Sequence, residues 1–260
     1  MEHSHTPDGP PAYQRLADDL RAGITDRTYP PGTTLPKIAD LAQQYGISKQ
    51  TATEAVHLLA SEGLVEVVRR RGTVVRHRSG RTVITRERQV FRDEIGYYFD
   101  PAAQPWAALR EPDLGWVPAP PDIAALLGIE SGAPVFARDR LMGNPDTREP
   151  KQAATSYLPD AVARDTVLTE RDTGPGGIYD RLEQDLARGP LTWHETIGAR
   201  MPTPTEAADL RLPKGTPVLR VLRTATSPDG TAVEVNDTRM SAADFEIGYP
   251  ITRHPSAQLS

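Results

Sequence analysis

Arg138 and Arg140, with Asp139 between them, are residues whose types and spacing could do chemistry. Side chains alternate along a strand, so the two arginines share one side of it, and paired guanidinium groups suit a phosphate or a carboxylate. On a later strand-like run Glu234 and Arg239 could take up hydroxyl or amine groups, and the backbone at Gly176-Gly177, ahead of a helical run, could donate N–H groups to an anion. The same charged residues could equally form salt bridges across an exposed sheet face. Nearer the start of the chain, Lys49, Gln50, Thr51 and Thr53 open an amphipathic segment, and Arg69, Arg70 and Arg71 follow in a row.

Catalytic chemistry is poorly represented. His194-Glu195 begins like the zinc helix of a metalloprotease, yet Gly198 stands where the second histidine belongs. Gly174 starts a glycine-rich run without the Lys-Ser/Thr of a phosphate loop, and no Gly-x-Ser-x-Gly elbow occurs. The chain has no cysteine, which removes disulfides, thiolate metal sites and cysteine nucleophiles together and fits a reducing cytoplasm. No cofactor or metal is expected. A lyase or hydrolase is kept as the alternative from another class.

The elements that position these residues follow from periodicity. Tyr13, Leu16, Ala17, Leu20 and Ile24 mark one face of a helix over about 12–26. Tyr29-Pro30-Pro31-Gly32 breaks it, a second helix carries Ile38, Leu41, Ala42 and Tyr45, and Gly46 ends that. Ser48 can cap a third helix whose apolar face is Ala52, Ala55, Val56 and Leu59, leaving Lys49, Gln50 and Thr53 outward. Leu64–Val68 and Thr73–Arg76 then read as a hairpin with a basic tip. Three helices and a hairpin make a winged helix-turn-helix, whose third helix reads base edges in the major groove. Gln50 suits adenine, Thr51 or Thr53 a thymine methyl or phosphate, and Lys49 a phosphate or guanine. The wing arginines suit backbone phosphate or the minor groove.

Charge agrees with that division. The net charge of −5 argues against a protein that coats nucleic acid, but residues 1–78 carry 10 basic against 9 acidic residues and residues 79–260 carry 20 against 26. Any DNA contact belongs to the first part. No stretch approaches the ~18 apolar residues of a membrane span, and no signal segment is evident.

The second part holds an internal repeat with an offset of 83 residues, which aligns Ala124–Val135 with Ala207–Val218 and Arg140 with Arg223. Each copy reads as a short helix, a glycine turn and two strands, the second strands being Lys151–Leu158 and Ala232–Met240; between the copies Gly177–Ala187 should be helical. Two copies are too few for a solenoid, so one α+β domain with pseudo-twofold character is expected. The expected organisation is a disordered start at 1–11, a winged helix at 12–77, a linker with room for one strand at 78–90, an effector-binding and dimerisation domain at 91–252, and a tail at 253–260.

On these residues the first part resembles the winged helix of the GntR family, through YQRLADDLRAGI, YPPGTTLP and LAQQYGISKQTATEAVHLLASEGLVEVVRRRGTVV. The resemblance implies DNA contacts at Lys37, Lys49, Gln50, Thr51, Thr53 and the wing residues Arg71, Gly72 and Thr73, to which the basic run adds Arg69 and Arg70. Where that family carries arginines, this chain has Ala39 and Thr53, and the triple-arginine wing is expected to compensate. The second part resembles the UTRA domain of the HutC branch, through Leu127-Gly128-Ile129, Arg138-Asp139-Arg140, Ser156-Tyr157-Leu158-Pro159, Gly176-Gly177-Ile178-Tyr179 and the run Val233–Arg239. That implies a chorismate lyase-like antiparallel sheet with helices, and effector contacts at Arg138, Arg140, Tyr157, Gly177, Glu234 and Arg239. It also implies a homodimer on double-stranded, palindromic operator DNA, switched by a small acidic metabolite such as a sugar phosphate. After Arg239 the family commonly has an aspartate and a tyrosine where this chain reads Met240-Ser241-Ala242, so the effector's identity stays open. A C-terminal domain that only dimerises is the second alternative.

Overall fold

The computed structural model describes residues 10–76, 81–93, 96–99, 101, 106–174, 177–254 and 256, with the side chain of Tyr98 left aside. Most of the N-terminal segment expected to be disordered, Gly176, the start of the expected linker and most of the tail lie outside the described residues. The chain divides into two compact units, 1–80 with 213–216 and 81–212 with 217–260.

In the first unit α1 (Ala12–Thr25), α2 (Ile38–Tyr45) and α3 (Lys49–Ser61) form where the apolar period places them. Leu16, Leu20, Leu41, Ala52, Ala55 and Leu59 meet in one core. Gly46 ends α2 in the left-handed conformation, φ 62°, which costs glycine least. Ser48 caps α3 by accepting from the Thr51 N–H at 3.0 Å. The wing is β1 (Val65–Val68) paired antiparallel with β2 (Gly72–Val75), from Val65 opposite Val75 to Val68 opposite Gly72. Arg70 turns the tip at φ 67°. The stretch Gly32–Leu35, read from sequence only as a break, is tied to the wing edge. Thr34 bridges Val74, Val75 donates to the Thr33 carbonyl at 2.8 Å, and Leu35 donates to the Thr73 carbonyl at 2.8 Å.

The second unit begins with β3 (Thr82–Thr85), β4 (Phe91–Arg92), β5 (Tyr97–Tyr98), β6 (Ala107–Ala108) and β7 (Asp113–Pro118). Then come α4 (Pro121–Leu127), β8 (Pro134–Gly143), β9 (Pro150–Pro159), α5 (Asp160–Ala163) and α6 (Gly177–Asp180), followed by β10 (Thr192–Arg200), α7 (Pro204–Asp209), β11 (Val218–Thr226), β12 (Ala232–Ser241) and β13 (Phe245–Gly248). The central sheet is antiparallel in the order β10-β11-β12-β9-β8, with β6 and β7 both on β8. The helical run expected over Gly177–Ala187 is α6 continued by a π-helical turn at Arg181–Asp185.

The repeat is visible in backbone angles as well as sequence. Gly128 and Arg211, equivalent positions after α4 and α7, both take positive φ, 67° and 51°. Glycine fits that conformation; the arginine carries strain there. Within the segment read as a linker with one strand, that strand is β3, Thr82–Thr85, which runs parallel to β13, and its Ile84 is fully buried with Met240 and Phe245. Val83 and Ile84, between threonines, are too short an apolar run to name a partner strand about 160 residues away.

Registers settle which side chains share a face. Arg138 pairs with Ser156, Ser156 with Asn236, and Asn236 with Arg223, so these four project together with Arg140, Glu234, Glu195 and Trp193. Asp139, Thr155, Tyr157, Asp237, Arg239 and Arg220 project from the opposite face. On the first face lie α5, α6 and the π turn, through Val162, Ile178, Tyr179 and Leu182 against Phe136, Leu158 and Ala225. On the second lie α4, through Ile123 and Leu127 against Val135 and Val235, and the end of α7, through Leu210 against Leu141 and Val218.

Candidate DNA-reading face and effector site

Most of the residues expected to meet DNA are exposed on the first unit. Lys37 stands at the N-cap of α2, and Lys49 and Gln50 are exposed on the first turn of α3. Thr51 and Thr53 are half-buried and locally bonded, Thr51 Oγ1 to Ser48 Oγ at 2.9 Å and Thr53 donating to the Lys49 carbonyl at 2.8 Å. The wing arginines Arg69, Arg70 and Arg71 are all exposed, and Arg71 also donates from Nη2 to the Gly32 carbonyl at 3.0 Å and so braces the wing. Gly72 takes φ 99°, and a Cβ there would lie 3.3 Å from Thr34, so the tip admits no larger residue without a shift.

The six residues expected to hold an effector do not converge. Arg140 and Glu234 share the α6 face, and Gly177 opens α6 over it. As a correction, Tyr157 and Arg239 lie on the other face: Arg239 is five positions on from Glu234, an odd offset that turns the two opposite ways along a strand, and Tyr157 is paired with Val235, not with Glu234. Arg239 is 6% exposed and committed to its neighbours, with Nη1 donating to Thr155 Oγ1 at 2.9 Å and Nη2 to Asp139 Oδ1 at 3.1 Å. Arg220 on the same face spans Asp122 and Asp237. The cleft there holds about 540 Å³. Its charges pair with one another, as in the salt-bridge alternative.

Arg138 faces the same way as Arg140 but is also committed. Nη1 donates to the carbonyls of Leu168, at 2.9 Å, and Glu170, and Nη2 to that of Arg171 at 3.1 Å. Burial lowers its pKa, and the neighbouring Arg140 adds to this. The guanidinium thus fastens the segment between α5 and α6 to the sheet.

What remains on the α6 face is a polar row set against aromatic rings. Arg140 Nη2 and Asn236 Nδ2 both donate to Ser156 Oγ at 3.1 Å. Tyr179 donates its hydroxyl to Glu234 Oε2 at 2.9 Å. Burial drives the pKa of Glu234 up despite hydrogen bonds from Ser156 and Tyr179 and the charges of Arg223 and Arg140, and burial also raises Tyr179. Tyr97, Phe99, Tyr179 and Trp193 pack together, edge to face except for the tilted Tyr97–Trp193 pair, with centroids 5.5–6.3 Å apart. The guanidinium of Arg223 sits 3.4 Å from the centre of the Phe99 ring and donates from Nε to Glu195 Oε1 at 2.8 Å. The buried Arg140 Nε and Trp193 Nε1 have no hydrogen-bond partner among the described residues. Sequence reasoning passed over Ser156, Asn236, Tyr179 and Arg223 as site residues, although parity with Arg140 and Glu234 selects all but Tyr179. For Tyr97 and Phe99 it had no signal. His194 and Glu195 point to opposite faces, and among the described residues no group of three His, Asp or Glu could hold a metal.

A winged helix joined to a ligand-sized antiparallel sheet domain defines the class of regulators that read DNA with one unit and carry a sensor domain in the other. Residues 12–75 match the bacterial regulatory proteins of the gntR family, and residues 113–246 match the UTRA domain. The chain is 33% identical over 234 residues to an HTH-type transcriptional regulator of Streptomyces coelicolor, covering 86% of each. It is 25% identical over 224 residues to the HTH-type transcriptional repressor NagR of Bacillus subtilis, covering 86% of this chain and 88% of NagR. The crystal structure of a GntR-family transcriptional regulator overlays with a TM-score of 0.65 at 30% identity, covering 94% of this chain and 98% of that one. The chain belongs to the GntR family, with the UTRA domain of its HutC type, and is a DNA-binding transcription regulator. Among the described residues no helix is long and apolar enough to cross a membrane.

Proposed function

We propose that the chain is a homodimeric repressor that binds a two-fold operator and is switched by a small, hydroxylated anionic metabolite held on the α6 face of the sheet. The observation that carries this reading is the polar row Arg140–Ser156–Asn236–Glu234. Arg140 keeps a buried donor for an anion, while Glu234, Ser156 and Asn236 offer both donors and acceptors for hydroxyl groups. The dimer is argued from size, since one winged helix reads too few base pairs for specific binding and two-fold pairs span half-sites about 34–36 Å apart. Repression is argued from likeness to NagR, named as a repressor.

The test is a thermal shift of the full chain against sugar phosphates and small hydroxy acids. A ligand at 100 times its Kd adds about 2.7 kcal/mol of stability. The active compound should release a duplex selected by the wild-type protein, and Arg140→Ala should remove both effects. If no anion moves the melting temperature, a domain that only dimerises becomes the better account.

A further inference from the structure

Two guanidinium groups share one carboxylate oxygen on the α6 face. Glu195 Oε1 accepts from Arg223, with Nε at 2.8 Å and Nη2 at 2.6 Å, and from Arg86 Nη1 at 3.3 Å. Both arginine side chains are about nine-tenths buried, at 11% and 9% exposure. Arg223 belongs to the floor of the effector site, stacked on Phe99 and within electrostatic reach of Glu234. Arg86 belongs to the segment that follows β3, six residues beyond the boundary at Gly80, and its own N–H donates to the Gly248 carbonyl at 2.7 Å. One acceptor therefore joins the floor of the site to the piece of chain that continues into the DNA-reading unit.

We propose that Glu195 is a positioning residue through which the state of the effector site sets the hold on the 82–90 segment, Arg223 and Arg86 competing for its Oε1. The reasoning is electrostatic. A carboxylate oxygen that serves two cations binds each less tightly than it would bind either alone, and in a largely buried setting the effect is not screened away. An anion at the site draws Arg223 from Glu195. The carboxylate then closes on Arg86, and the strand leading to the DNA-reading unit is held more tightly. This assigns a sign to the coupling and rests on the effector reading above.

The experiment is hydrogen exchange at residues 82–90 of the full chain, without ligand, in Glu195→Gln and Arg223→Gln. Local opening sets exchange at these backbone groups, so the hold on Arg86 is read directly. Glu195→Gln removes the charge that holds Arg86 and is expected to speed exchange by about tenfold. Arg223→Gln hands the whole carboxylate to Arg86 and is expected to slow it. A merely structural role loosens the segment in both variants, and that result overturns the proposal, as does no change in either. Arg86→Lys, which keeps the charge, should fall between wild type and Glu195→Gln. Opposite shifts in a chain whose melting temperature no anion changes would uphold this coupling and defeat the effector reading instead.

Discussion

Arg140 and Arg223 occupy equivalent places in the two copies of the repeat, 83 residues apart, and rise from the same face of the sheet within electrostatic reach of Glu234. Each copy thus lends one guanidinium to the proposed effector site.

Arg138, two residues from Arg140, is spent on the backbone. Arg138→Ala strands three carbonyls of Leu168, Glu170 and Arg171 at a position 6% exposed, and is expected to cost about 2–4 kcal/mol, seen as a lower Tm. Arg140→Ala loses one bond to a neutral hydroxyl and should cost about 1 kcal/mol while removing the response to the effector. Equal destabilisation by the two would contradict this division of labour.

Acid stability should depend on Glu206. Burial alone would raise its pKa, but Arg200, on both carboxylate oxygens at 2.7 Å, the Thr203 N–H and the charge of Arg239 outweigh burial and hold it at about 2 against 4.5. A carboxyl whose folded pKa is depressed stabilises the fold above 4.5, and that contribution is lost as pH falls toward about 2. Its upper limit is about 3 kcal/mol, for a side chain 14% exposed. Unfolding free energy followed by urea melts from pH 5 to pH 2 should therefore fall more steeply in wild type than in Glu206→Gln.

The division between what sequence reveals and what it hides follows the range of the forces. Helices α1 to α3, their caps and the wing hairpin depend on neighbours within a few residues, so Ser48, Gly46 and the spacing of Leu16 and Leu20 announce them. The two copies of the repeat are equally plain because the signal occurs twice. Placement of β3 beside β13 and of Gly32–Leu35 beside the wing depends on distant partners, and neither segment has a period long enough to declare itself. In the site, Arg140 and Glu234 are visible as types at strand positions; parity alone would have separated Arg239 and Tyr157 from them. Arg138 could not have been sorted from Arg140 by any local rule, because its partners are carbonyls about 30 residues on.

Base reading should rest on Gln50. Its amide is exposed on the first turn of α3 and engaged only weakly, at 3.5 Å, with Glu54. A bidentate contact to adenine discriminates by about 1–3 kcal/mol. Gln50→Ala should relax preference at one position in each half-site of the duplex the wild-type protein selects, with little change in salt dependence. Uniform loss across all positions would instead mark Gln50 as a phosphate contact.

Salt dependence should separate the wing arginines. Arg69, Arg70 and Arg71 are all exposed at a tip set by the positive φ of Arg70, but Arg71 is also tied to the Gly32 carbonyl at 3.0 Å. Each phosphate neutralised adds about −0.9 to the slope of log affinity against log salt. Arg69→Ala and Arg70→Ala should each flatten the slope by about that amount per subunit, measured by fluorescence anisotropy between 50 and 200 mM salt, an interval over which phosphate-dominated binding falls by about 10³-fold or more. Arg71→Ala should change the slope less and loosen the wing more, so faster hydrogen exchange at Val75, which donates to Thr33, is expected in that variant alone. Three equal slopes with an unchanged wing would make Arg71 one phosphate contact among three and remove its bracing role.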